Sequence, residues 1–136
     1  MPDAHPPLNG LHEAALYVRD LDAAEAFWRR LGFEVIGRAP GRYAFLRAGA
    51  DVLLLFDPEY SAQEARDVPA HGGRGPGHVA FDVPDTGALD AWRRHLEGAG
   101  VPVEAEHAWP RGGRSLYFPD PEGNCIELIT RGSWGF

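Results

Sequence analysis

Apolar and polar positions alternate along 11–18. Leu16 and Val18 fall on one face and Glu13, Ala15 and Tyr17 on the other, the period-two pattern of a strand. Asp20 and Asp22 follow as candidate helix N-caps. Leu21, Ala24, Phe27 and Leu31 then recur at helical spacing over about three turns, and Gly32 stands where a left-handed cap closes a helix. Strand candidates follow at 33–36, 43–46 and 52–56. The same order then begins again. Residues 78–83 alternate like 13–18, and Asp85 takes the place of Asp20. Leu89, Trp92, Leu96 and Ala99 form a helical stripe closed by Gly100, and 101–104, 115–118 and 125–129 read as strands. Between the two runs, 57–76 carries prolines and a Gly-rich stretch without periodicity, so a long loop is predicted there.

The two runs superpose. A shift of 65 residues places Glu13 on His78, Ala15 on Ala80, Leu16 on Phe81, Val18 on Val83 and Asp20 on Asp85. Trp28-Arg-Arg falls on Trp92-Arg-Arg, Tyr43-Ala-Phe-Leu46 on Ser115-Leu-Tyr-Phe118, and Asp51-Val-Leu-Leu-Leu55 on Asn124-Cys-Ile-Glu-Leu128. The expected fold is α+β, an internal duplication of a strand–helix–three-strand unit.

The duplication narrows the search for chemistry. The first strand of each unit packs Leu16 and Val18, or Phe81 and Val83, on its helix. The opposite face then carries Glu13 and His78. Glu127 lies between Ile126 and Leu128 and points away from the face those two share. Its first-unit counterpart is Leu54. The four equivalent slots therefore hold Glu13, Leu54, His78 and Glu127. Three of them are ligand-type side chains, a set suited to Mn²⁺, Fe²⁺, Ni²⁺, Zn²⁺ or Mg²⁺ without choosing among them. Glu127 is the strongest signal, because a carboxylate in an apolar strand is costly to bury unless paired or metal-bound.

Composition removes other chemistries. All 13 basic residues are arginine, so a lysine Schiff base, a pyridoxal phosphate anchor and a Walker-A lysine are absent. The net charge of −7 disfavours a nucleic-acid partner. Cys125 is the single cysteine, which excludes an intrachain disulfide. No apolar run is long enough to span a membrane and no signal-peptide pattern is evident, so a cytoplasmic chain is expected.

Glu13-Ala-Ala-Leu-Tyr-Val-Arg-Asp-Leu21, with Phe27-Trp28 and Leu31-Gly32-Phe33, resembles the first module of the vicinal oxygen chelate superfamily. This group includes glyoxalase I, bleomycin-resistance proteins, fosfomycin-resistance transferases and extradiol dioxygenases. Gly77-His-Val-Ala-Phe81, Gly113-Arg-Ser-Leu-Tyr-Phe-Pro-Asp-Pro-Glu-Gly-Asn124 and Ile126-Glu-Leu128 resemble the second module. The resemblance implies two βαβββ modules wrapped into a partly open mixed β-barrel around a metal or ligand cleft. It divides a single domain, 1–136, into module one at about 8–58, a connecting loop 59–76, module two at 77–130 and a tail 131–136. It places metal ligands at Glu13, His78 and Glu127, although the first position is commonly histidine in the family and Leu54 cannot coordinate. The implied activity is a glyoxalase- or dioxygenase-like metal-dependent enzyme, a lyase, isomerase or dioxygenase. It acts on a small molecule with vicinal oxygens, the metal serving as a Lewis acid that stabilises an enolate-type intermediate. Glu13 or Glu127 would serve as ligand and general base. The alternative is a metal-free, bleomycin-resistance-like protein that sequesters a small molecule. A fosfomycin-type transferase is disfavoured by the lack of lysine and of an evident cation-binding loop. A homodimer is expected, since family members often pair modules across chains.

Further substrate contacts and cavity-wall positions are expected. His71, in a glycine-flanked loop, would swing over the open site. Arg114 and Ser115 would orient an anionic substrate beside Glu127. Tyr117 and Arg47, with Tyr17, are cavity-wall residues by strand parity.

Overall fold

The structure is a computed structural model that describes residues 5–64 and 67–135. Residues 1–4 of the expected N-terminal arm, 65–66 of the connecting loop and 136 of the tail lie outside the described residues.

The first unit is β1 (Glu13–Tyr17), α1 (Leu21–Arg30), β2 (Val35–Ala39), β3 (Tyr43–Ala48) and β4 (Asp51–Phe56). A short helix, α2 (Pro58–Ser61), opens the connecting loop. The second unit is β5 (His78–Val83), α3 (Thr86–Gly98), β6 (Ala105–Ala108), β7 (Arg114–Pro119) and β8 (Cys125–Thr130). The duplicated aspartates both cap helices. Asp20 Oδ1 accepts from the Ala23 amide at 3.0 Å, and Asp85 Oδ1 from the Ala88 amide at 2.8 Å. Each such cap contributes roughly 0.5–2 kcal/mol. Gly32 and Gly100 follow the two helices at φ +95° and +74°, where a side chain is strained.

The sheets repeat the same topology, β1-β4-β3-β2 and β5-β8-β7-β6. In each, the first strand runs parallel to the last and the others are antiparallel. The register is equivalent as well: Ala15 faces Leu54 in one sheet, and Ala80 faces Glu127 in the other. The two sheets share no strand ladder, so the chain forms two four-stranded mixed sheets that do not close into a barrel.

What joins the units is a shared core on their helix-covered faces. Leu16, Val18, Ala24, Phe27 and Trp28 of the first unit belong to one buried cluster with Leu89, Leu96, Leu116, Phe118 and Leu128 of the second. Trp28 is fully buried, and its ring meets Phe81 and Phe118 at centroid distances of 5.8 and 6.4 Å. His95 of α3 adds a polar tie, donating from Nε2 to the Leu31 carbonyl at 2.8 Å. With the helix faces used in this way, the opposite sheet faces stay open.

One strand expectation is corrected. Residues 101–104 do not form β6, which starts at Ala105. The Val101 amide bonds to the Leu96 carbonyl as part of the α3 cap, and its side chain is buried in the core. Pro102 has no N–H to give a ladder. The apolar Val101 and Val103 thus seal the helix end, while β6 itself is an exposed edge. Residues 33–36 behave alike. Phe33 bonds back to Trp28, and the strand begins at Val35.

The start of β5 is locked to the turn before β8. Asn124, fully buried, accepts from the Gly77 amide at 2.7 Å and donates to Asp120 Oδ2 at 2.8 Å. Asp120 Oδ1 accepts the amides of Glu122 and Asn124. Asn124→Ala leaves the buried Asp120 carboxylate and the half-buried Gly77 amide without this partner. Its expected cost is about 1–3 kcal/mol in chemical denaturation, with faster hydrogen exchange at the Gly77 amide. No helix among the described residues is long and apolar enough to cross a membrane.

Candidate metal centre

Strand pairing brings four side chains of the second unit together. β8 lies between β5 and β7, so Glu127 faces Ala80 on one side and Tyr117 on the other. Ser115, Tyr117 and Glu127 share the open face of this sheet. Glu127 is only 6% exposed, and its Oε2 accepts from the Ser115 hydroxyl at 2.6 Å and the Tyr117 hydroxyl at 3.1 Å. Burial pushes the Tyr117 phenol above its usual range, and the Glu127 carboxylate beside it adds to the shift. Burial also raises the Cys125 thiol, helped by Glu127 and Glu104.

His78 completes the group from the start of β5. Its Nδ1 lies 2.9 Å from the Cys125 carbonyl oxygen, which can only accept, so Nδ1 carries the proton. Nε2 is left to face the carboxylate, and it sits 3.1 Å from Glu127 Oε1. A proton on Nε2, or a cation held by both groups, satisfies that contact. A nitrogen and a carboxylate oxygen turned toward one point is the donor pair that a divalent ion takes. Among the described residues, Glu127 is partnered by His78 and not by an arginine.

Glu13 does not join this pair within one chain. It is the first residue of β1 and is exposed, facing Val52 in register. Among the described residues no group of three His, Cys, Asp or Glu side chains is placed to hold a metal ion. Leu54 occupies the slot equivalent to Glu127, between Ala15 and Phe45.

The expected substrate contacts separate. His71 lies over the open face of the first sheet. Its Nδ1 is 2.8 Å from the Tyr17 hydroxyl, and its ring meets Phe56 edge-on at 4.9 Å. Tyr117 stands at the Glu127 carboxylate as parity predicts. Ser115 requires a correction. It is fully buried between Trp109 and Glu127, so it holds the carboxylate instead of presenting itself to substrate. Arg114 requires another. As the neighbour of Ser115 on β7 it points to the helix side, where its guanidinium meets Asp90 of α3 at 3.4 Å and Glu106 of β6 at 3.3 Å. There Arg93, the larger influence, and Arg114 together hold the Glu106 carboxyl below its usual range. Arg47 bonds to the Gly49 carbonyl at 3.1 Å. It lines a cleft of about 720 Å³ with Phe33, Trp92 and His95, apart from His78 and Glu127. Trp109, which as a loop aromatic suggests a lid or an interface, instead donates its indole N–H to Ser115. Its place in a loop offered no periodicity to read.

The first sheet's open face is aromatic. Tyr43 and Phe45 stack at 4.2 Å, Phe56 packs edge-on against both, and Tyr60 lies 6.1 Å from Tyr43.

The repeated βαβββ topology agrees with the sequence comparison. The chain belongs to the Glyoxalase/Bleomycin resistance protein/Dioxygenase superfamily, whose family model matches residues 10–128. Among solved structures it is similar to a lactoylglutathione lyase from Agrobacterium tumefaciens. The two are 41% identical, the match covers 96% of this chain and 100% of that one, and the TM-score is 0.90. A glyoxalase/bleomycin resistance protein/dioxygenase from Nocardioides, 24% identical over 93% of this chain and 85% of its own, shares the fold at a TM-score of 0.71. Among curated proteins it is similar to the metallothiol transferase FosB of Shouchella clausii (strain KSM-K16). That likeness is 25% identity over 126 residues, 90% of this chain and 81% of the other.

Proposed function

We propose that the protein is a glyoxalase-like, metal-dependent enzyme acting on a small molecule with two adjacent oxygens. The observation that carries this reading is His78 Nε2 facing the buried Glu127 Oε1 across 3.1 Å on the open face of the second sheet. His78 and Glu127 would hold a divalent ion, with Glu13 as the third ligand. Mn²⁺, Fe²⁺, Ni²⁺, Zn²⁺ and Mg²⁺ all suit such an N,O,O set. When bound, the ion supplies Lewis-acid polarisation of the two substrate oxygens. The protein's own residues then orient and exclude. Tyr117 and Ser115 hold the Glu127 carboxylate, and Glu13, free of a structural partner role in its strand, is available to take a proton from substrate carbon. The 41% identity to a protein named lactoylglutathione lyase supports the lyase or isomerase end of the superfamily over a dioxygenase.

Glu13 reaches the pair from a second copy of the chain. The two sheets of one chain pack their helix faces together and leave the opposite faces free of a second sheet, so a homodimer can set the first sheet of one copy against the second sheet of the other. The aromatic wall of Tyr43, Phe45 and Phe56 would then line the cleft opposite His78 and Glu127 and pack on the apolar body of the substrate.

A complementation experiment tests this assembly. Glu13→Ala and His78→Ala homodimers each lose metal. A mixed dimer of the two contains one intact site, because the His78→Ala chain still offers Glu13 and the Glu13→Ala chain still offers His78 and Glu127. The expected result is one metal ion and about half of the wild-type activity per mixed dimer. No recovery on mixing would sink the shared site. The same aromatic wall favours a second reading, a metal-free protein that sequesters a planar ligand. Absence of metal uptake by wild-type protein supplied with each of the five ions would select it.

A further inference from the structure

Glu127 is held by a chain of directed hydrogen bonds that begins outside the open face. Trp109 Nε1 lies 2.7 Å from Ser115 Oγ, and Ser115 Oγ lies 2.6 Å from Glu127 Oε2. An indole N–H only donates. Ser115 therefore accepts from Trp109, and its single hydroxyl proton is sent to Glu127. Tyr117 supplies a second donor to the same oxygen at 3.1 Å. Oε2 is thus doubly occupied, while among the described residues Oε1 meets only His78 Nε2. Trp109 is itself fixed by a tight turn. Its amide donates to the Gly113 carbonyl, its carbonyl accepts from Gly112, and its ring packs edge-on against His107 at 4.3 Å.

We propose that Trp109 and Ser115 are positioning residues that saturate Oε2 of Glu127 and so reserve Oε1 as the oxygen facing a divalent ion beside His78. This rests on the metal-dependent reading above. Directed donors to a carboxylate are short and strong when the acceptor is charged. They remove the freedom of the carboxylate to rotate or to offer both oxygens at once. Partners of this kind, one bond behind a metal ligand, typically change metal affinity by 10–100-fold. The first unit has Tyr43 in the place of Ser115 and Leu54 in that of Glu127, so the device belongs to the second unit alone.

Cobalt titration followed by visible absorption tests the proposal on the intact protein. Glu127→Ala is expected to abolish Co²⁺ binding. Ser115→Ala should raise the Kd by roughly 10–100-fold. Trp109→Phe keeps the ring packing, removes only the N–H, and should weaken binding in the same direction with an unchanged melting temperature for the metal-free protein. The double variant should be no weaker than Ser115→Ala, because Trp109 acts through Ser115. Ser115→Thr, which keeps the hydroxyl, should recover most of the affinity. If Co²⁺ binding depends on Glu127 but is unchanged in Ser115→Ala and Trp109→Phe, the relay is overturned and the metal-dependent reading stands. If wild-type protein takes up neither Co²⁺ nor any of Mn²⁺, Fe²⁺, Ni²⁺, Zn²⁺ and Mg²⁺, both fall. Should Ser115→Ala fail to fold, Trp109→Phe decides alone.

Discussion

Glu127→Ala is expected to reduce the metal content of the purified protein to background and to abolish activity, while the chain stays folded. The carboxylate is a proposed ligand, and its two hydrogen-bond donors do not replace it, since Ser115 and Tyr117 are neutral hydroxyls. The substitution also leaves two hydroxyls without their acceptor. The buried Ser115 oxygen still has Trp109, but its proton has lost its partner. A cost of about 1–3 kcal/mol follows from that unmade bond. Glu127→Gln separates the two effects. The amide oxygen still accepts from Ser115 and Tyr117, so stability should recover much of the loss, whereas a neutral amide is a poor ligand and metal should not return. Metal analysis paired with urea unfolding measures both. Metal retained in Glu127→Ala would remove this residue from the site.

The second large effect concerns stability. Trp28→Ala is expected to destabilise the protein by about 3–5 kcal/mol, read by chemical denaturation. Trp28 is fully buried and touches both units: Phe27 and Phe33 of its own, Phe81 and Phe118 of the other. Its removal opens a cavity at the contact that joins the two modules, so they should also uncouple, with a lower unfolding cooperativity. Trp28→Phe provides the control. The indole N–H has no hydrogen-bond partner among the described residues, so Phe gives up packing volume but no bond. Its cost should be well below that of alanine. Equal losses in the two variants would mean that the contact is not filled by ring volume.

The parts of the fold that repeat locally were readable along the chain. Strand parity, the capping aspartates and the closing glycines are short-range constraints, each carried by a few neighbouring residues. They are met in both units, with Ala15 opposite Leu54 and Ala80 opposite Glu127. Errors arose where apolar residues serve a helix end instead of a strand. Val101 and Val103 have strand composition, yet Val101 closes α3, and only the helix's position under the sheet makes that burial available. Arg114 shows how adjacency misleads. It stands next to Ser115 in sequence, but consecutive strand residues face opposite sides, and Asp90 and Glu106 await it on the helix side.

The candidate site divides along the same line. Residue type and period two were enough to bring Glu127, Tyr117 and His78 into consideration, because one sheet of known parity contains them all. The chemistry between them depends on geometry. Only the Cys125 carbonyl tells which nitrogen of His78 carries the proton, and only Trp109, folded back from a loop, tells where the Ser115 proton points. The place of Glu13 is likewise a matter of how sheets meet. By itself the sequence determined the duplicated βαβββ unit, its parity and the ligand-type residues, since these follow from backbone period and local capping. Only the tertiary structure decided that the helix faces pack together, that the two sheets stay open, and that His78 and Glu127 pair without Glu13. Those outcomes are set by contacts between residues tens of positions apart, which no local pattern encodes.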